Sequence, residues 1–257
     1  MKLFTLIFIA YIALCAYLFF VQRSMLYFPS PKVQHPYPEE SYLFDEATVR
    51  VILLNTGKKN ALLYFGGNAE AVEHNAPEFI QHFPNHTVYL VQYRGYGNST
   101  GKPTEAYLYS DALAIFNRIT PQHDTISVIG RSLGSGIATF LAAQKPVQSL
   151  ILVTPFDSIE SVAQNAFPFF PVSLLLQDKY NSLNHAKKIK AKTLLLMAEN
   201  DQIIGASHSK RLAEAFSPFV STVTIIPSSG HNSLSYHPLY YPTIRKFIHT
   251  FSKKSPQ

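Results

Sequence analysis

Seven short apolar runs rich in β-branched and aromatic residues recur along the chain, at Thr48–Leu54, Ala61–Phe65, Thr87–Tyr93, Thr125–Ile129, Ser149–Val153, Thr193–Ala198 and Thr222–Ile226. They are nearly continuous rather than alternating, the pattern of strands buried on both faces. Helix-period stretches lie between them, at Ala69–Phe83, Glu105–Ile119, Leu133–Gln144, Ala206–Phe216 and Pro242–Phe251. Strand–helix alternation on this scale predicts an α/β fold, with one mostly parallel central sheet covered by helices on both faces. A length of 257 residues suits one such domain. With 47% hydrophobic and only 15% charged residues the chain excludes intrinsic disorder. Pro155–Ala191 breaks the rhythm. Its Phe156, Phe167, Phe169, Phe170 and Leu174–Leu176 are too apolar for an ordinary surface loop, and it reads as a short cap or insert.

The amino terminus poses a separate problem. Leu3–Val21 carries no charge, and as a helix rising ~1.5 Å per residue it spans roughly 28 Å, close to a hydrocarbon core of ~30 Å. A helix satisfies its own backbone polar groups, which lipid cannot do. Tyr17, Arg23 and Tyr27 lie near the exit end, where such side chains suit the interface. A cleaved signal peptide would have a shorter apolar centre followed by small residues, whereas this run ends in Leu18, Phe19, Phe20 and Val21. A buried core helix would not begin at residue 3 without a polar face. Residues 1–23 are therefore expected to be a single-pass transmembrane anchor. Lys2 on one side and Arg23 and Lys32 on the other leave its orientation open. Residues 24–42, with Pro29, Pro31, Pro36 and Pro38, read as an extended connector to a domain over 43–252, and 253–257 as a tail.

A formal charge of +6 permits attraction to nucleic acid or anionic lipid without choosing between them. The one dense basic run, Lys187, Lys188, Lys190 and Lys192, has no zinc-finger or RNA-recognition signature around it; it reads as a solvated helix end, and no nucleic-acid partner is expected. The single cysteine, Cys15, excludes an intrachain disulfide and a Cys-based zinc site.

Open α/β sheets place their chemistry beyond the carboxyl ends of the strands. After Thr125–Ile129 comes Gly130-Arg131-Ser132-Leu133-Gly134, a G-x-S-x-G pattern between a strand and a helix. In that context it predicts a nucleophile elbow, where glycines flank a serine on a turn too tight for other side chains. A phosphate loop is excluded because no Gly-Lys-Ser/Thr follows, and Gly130, Gly134 and Gly136 do not have the dinucleotide spacing.

A serine hydroxyl needs a base to take its proton, and in this architecture an acid and then a histidine follow the serine. Asp201 follows Thr193–Ala198, and His231 follows Thr222–Ile226. Asp157, after Ser149–Val153, is the rival acid, with Glu199 and Asp178 weaker; whether Asp157 supports or replaces Asp201 stays open. His208, His237 and His249 fall in or near helices and read as surface or packing residues. Acyl transfer also needs oxyanion donors, each worth about 2.7–4 kcal/mol. The backbone N–H groups of Leu133 and of Asn68, in Gly66-Gly67-Asn68, are the candidates, and Asn68 can also cap the next helix.

These stretches resemble the α/β-hydrolase superfamily, and within it the membrane-anchored α/β-hydrolase-domain proteins related to serine aminopeptidase-type hydrolases. The likeness is carried by Gln22-Arg23-Ser24-Met25-Leu26-Tyr27-Phe28-Pro29, Tyr93-Arg94-Gly95-Tyr96-Gly97-Asn98-Ser99-Thr100-Gly101-Lys102-Pro103, the serine pentapeptide, Thr154-Pro155-Phe156-Asp157-Ser158, and the Asp201 and His231 segments. It implies an α/β-hydrolase fold with Ser132, Asp201 and His231 as a catalytic triad, and esterase, thioesterase or lipase reactions without metal or cofactor. Relatives usually carry His-Gly-Asn where Gly66-Gly67-Asn68 stands, and often Asp in place of Gln92. The expected function is a membrane-anchored serine hydrolase of carboxylic esters or thioesters, on small-molecule or lipid-like acyl substrates, with Phe156, Phe167 and Phe170 as candidate substrate contacts. A serine aminopeptidase-type peptidase and a noncatalytic membrane scaffold are the alternatives, and acyl length, leaving group and oligomeric state stay open.

Overall fold

The computed structural model describes residues 2–44, 47–217 and 220–252, so the expected tail at 253–257 lies outside the described residues. In chain order the elements are α1 (Lys2–Leu26), β1 (Glu39–Phe44), β2 (Ala47–Leu54), β3 (Asn60–Phe65), α2 (Ala76–His82), β4 (His86–Gln92), α3 (Glu105–Ile119), β5 (Thr125–Arg131) and α4 (Leu133–Gln144). They continue with β6 (Ser149–Val153), α5 (Ile159–Ala166), α6 (Val172–Leu175), α7 (Ser182–Ala186), β7 (Lys192–Ala198), α8 (Ala206–Ala215), β8 (Ser221–Ile226) and α9 (Tyr240–Ser252).

The strands form one 8-stranded sheet in the order β1-β2-β4-β3-β5-β6-β7-β8. β1 and β2, and β2 and β4, pair antiparallel; every other neighbouring pair is parallel. Each buried strand feeds both faces. Ala61, Leu63 and Phe65 of β3 join a core with Leu108, Ile115, Ile137 and Leu212 of α3, α4 and α8. Leu62 and Tyr64 join the opposite core with Phe79, Ile244 and Ile248 of α2 and α9. This double coverage is why the sequence shows continuous rather than alternating apolar runs.

The differences from expectation have local causes. β1 begins inside the expected connector at 24–42; as an antiparallel edge strand it buries Tyr42 while leaving Leu43 81% exposed, so it lacks a continuous apolar signature. The helix expected at Ala69–Phe83 is shorter, because Ala69 has a positive φ of 61° and Pro77 fits only the start of α2. Pro155–Ala191 folds as α5, α6 and α7, with Ser158 and Asn181 side chains capping the first and last. Lys187, Lys188, Lys190 and Lys192 are exposed just beyond α7.

The chain reverses its direction of travel through the sheet between β3 and β5, whose carboxyl ends lie side by side. There the β5–α4 turn packs against the end of β3 so closely that a Cβ on Gly134 would collide with the carbonyl oxygens of Phe65 and Gly66, and one on Gly130 with that of Gly134. Gly134→Ala is expected to destabilise the fold by about 3 kcal/mol, the upper end for overpacking, because backbone atoms cannot rotate away. In a circular-dichroism melt of the detergent-solubilised chain this should appear as a Tm lower by roughly 6–12 °C.

Candidate active site

Ser132 joins β5 to α4 with φ 49° and ψ −116°, a left-handed conformation unusual for a residue with a side chain. Two bonds hold it there: Ser132 N–H donates to Val153 O (2.9 Å), and Ser135 N–H donates to Ser132 O (2.8 Å). The hydroxyl is thereby turned away from the helix and toward the loops beyond the sheet.

Those loops are joined before they reach the serine. Asn200 N–H donates to Ser229 O (2.8 Å), and the Glu199 carboxylate accepts from Ser228 N–H (2.8 Å), so the segments after β7 and β8 are fastened together. Asp201 is aimed by the N–H groups of Ile203 (3.0 Å) and Ile204 (2.8 Å). Its carboxylate meets His231 Nδ1 at 2.9 Å, and His231 Nε2 lies 2.9 Å from Ser132 Oγ. The carboxylate and the imidazole are nearly buried, with side-chain exposures of 5% and 7%. With Nδ1 bonded to the carboxylate, Nε2 is free to accept a proton from the hydroxyl.

Asp157 belongs elsewhere. It is 1% exposed, and its two oxygens meet His208 Nδ1 (2.8 Å) and Arg211 Nε (2.7 Å). Burial pushes its pKa up, but the hydrogen bonds from His208 and Arg211 outweigh this and hold the carboxyl below its usual range. The rival acid thus partners a buried packing histidine, leaving Asp201 as the carboxylate on His231. Glu199 fastens the loops, and Asp178 pairs with Arg23 at 2.9 Å.

The loop after β3 lies over the serine. A Cβ on Gly67 would stand 3.7 Å from Ser132 Cβ, so a side chain here would crowd the space above the hydroxyl. Gly66 O accepts from Gly134 N–H (3.1 Å) and Tyr93 Oη–H (2.7 Å), and Gly67 N–H donates to the Glu70 carboxylate (2.6 Å). The N–H groups of Leu133 and Asn68 have no acceptor among the described residues. The Asn68 side chain, by contrast, is engaged through both its oxygen and its nitrogen. Its oxygen accepts from Phe28 N–H (2.9 Å) and Tyr96 Oη–H (2.7 Å), and its nitrogen donates to Leu26 O (2.7 Å) at the end of α1. Burial pushes the Tyr96 phenol up, which keeps it a donor.

Sequence reasoning missed Glu70, which also accepts from Tyr64 Oη–H, Asn75 Nδ2 (both 2.6 Å) and Arg131 Nη1 (2.9 Å). Burial works against the Arg131 charge, yet the neighbouring Glu70 carboxylate holds the guanidinium above its usual range. No spacing rule marks a glutamate that acts through contacts from three elements. Tyr93 and Tyr96 stood inside a quoted motif, but only coordinates give their partners. Gln92 keeps an acceptor role, taking Asn98 N–H at 2.7 Å.

Phe156 is 1% exposed and packed in the core, so it does not line a binding surface. Phe167 and Phe170 are placed differently. With Leu18, Met25 and Leu26 of α1 and Leu175 of the cap, they wall an apolar groove. Leu26 both lines this groove and accepts from the Asn68 side chain, so one hydrogen bond links the groove wall to the loop above the serine, although that loop and the serine do not themselves line the groove. A polar cleft of about 1520 Å³ is lined by Arg131 and Asn232, the chain neighbours of Ser132 and His231, together with Glu70 and His237.

Comparison with known proteins agrees with this architecture. A family model described as the alpha/beta hydrolase fold matches residues 50–174. An uncharacterized protein of Mycobacterium tuberculosis is 32% identical over 231 residues, which is 82% of this chain and 80% of that protein. The alpha/beta hydrolase domain-containing protein aho-3 of Caenorhabditis elegans is 30% identical over 168 residues, 64% of this chain and 49% of its own length. Among solved structures, the Pyrococcus furiosus esterase Pf2001 is similar in fold, with a TM-score of 0.66 at 16% identity, over 87% of this chain and 99% of its own. With a doubly covered sheet, a serine on the turn after its fifth strand and relatives along most of its length, this chain belongs to the α/β-hydrolase superfamily.

Proposed function

We propose that the chain is a membrane-anchored serine hydrolase that cleaves carboxylic esters or thioesters of lipid-like acyl substrates through an acyl-enzyme. The observation that carries this reading is the continuous Ser132–His231–Asp201 relay, at 2.9 Å on either side of the imidazole. Ser132 attacks the acyl carbonyl while His231 takes its proton, and Asp201 stabilises the imidazolium that forms. The N–H groups of Leu133 and Asn68 receive the developing oxyanion. His231 returns the proton to the leaving alcohol or thiol, and water, activated by the same imidazole, releases the acid and restores the hydroxyl. The anchor is α1, which has the length and composition to cross a membrane. The apolar groove between α1 and the cap suits an acyl chain, and the polar cleft suits the leaving group.

Four experiments test this reading. A fluorophosphonate probe should label the parent chain and leave Ser132→Ala unlabelled; a folded parent that takes no label would favour a noncatalytic scaffold. Asp201→Asn should lower kcat by about 10⁴, the size of effect expected when the imidazole loses its orienting carboxylate. Asp157→Asn should keep kcat within a few-fold while costing about 1–3 kcal/mol of stability at pH 7. Because the Asp157 pKa is depressed in the fold, its contribution is complete above the unfolded value of about 3.9 and fades as pH falls through the folded one. The stability gap between parent and Asp157→Asn should therefore begin to narrow only once the pH falls below about 3.9. Finally, kcat/KM should rise about fourfold per added acyl CH₂ until the groove is full, from ~0.8 kcal/mol per buried CH₂. A fall with chain length would remove the groove from the reading.

A further inference from the structure

From Ser161 to Gln177 the cap carries no charged side chain. It is closed at its base by ion pairs, Glu160 with Lys179 (3.1 Å) and Arg23 of α1 with Asp178 (2.9 Å). Beyond this collar the cap climbs along α1. Its tip reaches Tyr11, whose hydroxyl donates to Phe169 O at 2.9 Å and whose ring stacks on Phe170 with centroids 5.8 Å apart. Tyr11 precedes Arg23 by more than three helical turns, about 18 Å along the axis at ~1.5 Å per residue. A segment touching α1 there lies at the depth of the hydrocarbon, provided that α1 spans the membrane.

Two further observations fit such a place. Phe169 and Leu174 point outward, 85% and 81% exposed, on a stretch with no charged side chain until the collar. The tip also pairs most of its backbone groups within the protein, the Phe169 N–H being left without an acceptor among the described residues. The carbonyls of Phe167, Pro168 and Phe170 all accept from Gln164 Nε2 (3.2–3.5 Å), and that of Phe169 accepts from Tyr11. The N–H groups of Phe167 and Phe170 bond to Ala163 O and Phe167 O, and Pro168 and Pro171 have none to satisfy. Lower down, Gln22 of α1 donates to Leu175 O (3.0 Å) and accepts from Gln177 N–H (2.7 Å). In water such carbonyls need no dedicated side chains, whereas in lipid each one left unpaired costs several kcal/mol.

We propose that the cap is immersed in the bilayer beside α1, so that the groove between them opens into hydrocarbon and takes its acyl chain sideways from the leaflet. This rests on the reading of α1 as a transmembrane anchor. The collar of ion pairs then marks the level of the headgroups, with the serine and its partners just beyond it.

The chain contains no tryptophan, so a single introduced one reports its own depth. Three full-length variants are reconstituted in phosphatidylcholine vesicles doped with lipid brominated at the middle of the acyl chain: Phe169→Trp, Phe8→Trp on α1, and Gln122→Trp before β5, at the far end of the sheet. Phe8→Trp and Phe169→Trp should emit at short wavelength and lose at least half their fluorescence to the bromines, while Gln122→Trp emits as in water and is not quenched. Quenching of Phe8→Trp with water-like emission from Phe169→Trp would overturn the immersed cap and leave the anchor standing. Failure of both would overturn the anchor and the cap together. The readout needs no turnover, so an absent fluorophosphonate label would sink the hydrolase reading and leave an immersed cap intact.

Discussion

The site depends on a close approach of backbone against backbone, where the turn between β5 and α4 meets the end of β3. Gly130 and Gly134 permit it, and Ser132 takes the unfavourable φ of 49° that results. A non-glycine residue held in such a conformation costs of order 1–3 kcal/mol and survives only where its surroundings over-determine it. Here they do. The serine is tied at both its N–H and its carbonyl, and Gly134 is tied to Gly66 across the sheet. One contact therefore fixes the position of the hydroxyl, the position of the loop above it and the distance between them.

The remaining parts arrive by a different logic. Asp201 and His231 come from loops after β7 and β8, and those loops hold each other through Glu199 and Asn200 before either reaches the serine. The imidazole is thus delivered by a fastened pair of loops rather than by a free side chain. The same sheet end holds a second carboxylate–imidazole pair, Asp157 and His208, whose partners Arg211 and Asn165 close it off from the first. Two similar pairs thus coexist with separate surroundings.

Much of this was legible in the residues. Strands buried on both faces are written as continuous apolar runs, and a glycine-flanked serine between such a run and a helix is specific in that context. The order of serine, acid and histidine after successive strands also follows from chain order alone. What escaped had other physical causes. β1 buries only alternate side chains at an edge, so Tyr42 and Leu43 leave a weak signature. Choosing between Asp157 and Asp201 required knowing which histidine each carboxylate faces, and strand ends do not encode that. Phe156 was grouped with the cap phenylalanines, although its neighbours in space are Gly136 and the core. Glu70 gathers bonds from Tyr64, Gly67, Asn75 and Arg131, a convergence with no linear pattern.

The grip on Asn68 has a consequence for how such a chain is to be handled. Two of the three groups that hold its amide, Leu26 O and Phe28 N–H, belong to the last residues of α1 and the stretch just after it. A fragment that begins after Phe28 would lack those two and leave Tyr96 alone to steady the loop. On the proposed mechanism, such a fragment would turn over even a freely dissolved substrate more slowly than the intact chain. If the proposed anchor and mechanism hold together, release from the membrane and loss of catalytic competence would be a single event, and the leading helix would count as working machinery rather than a tether.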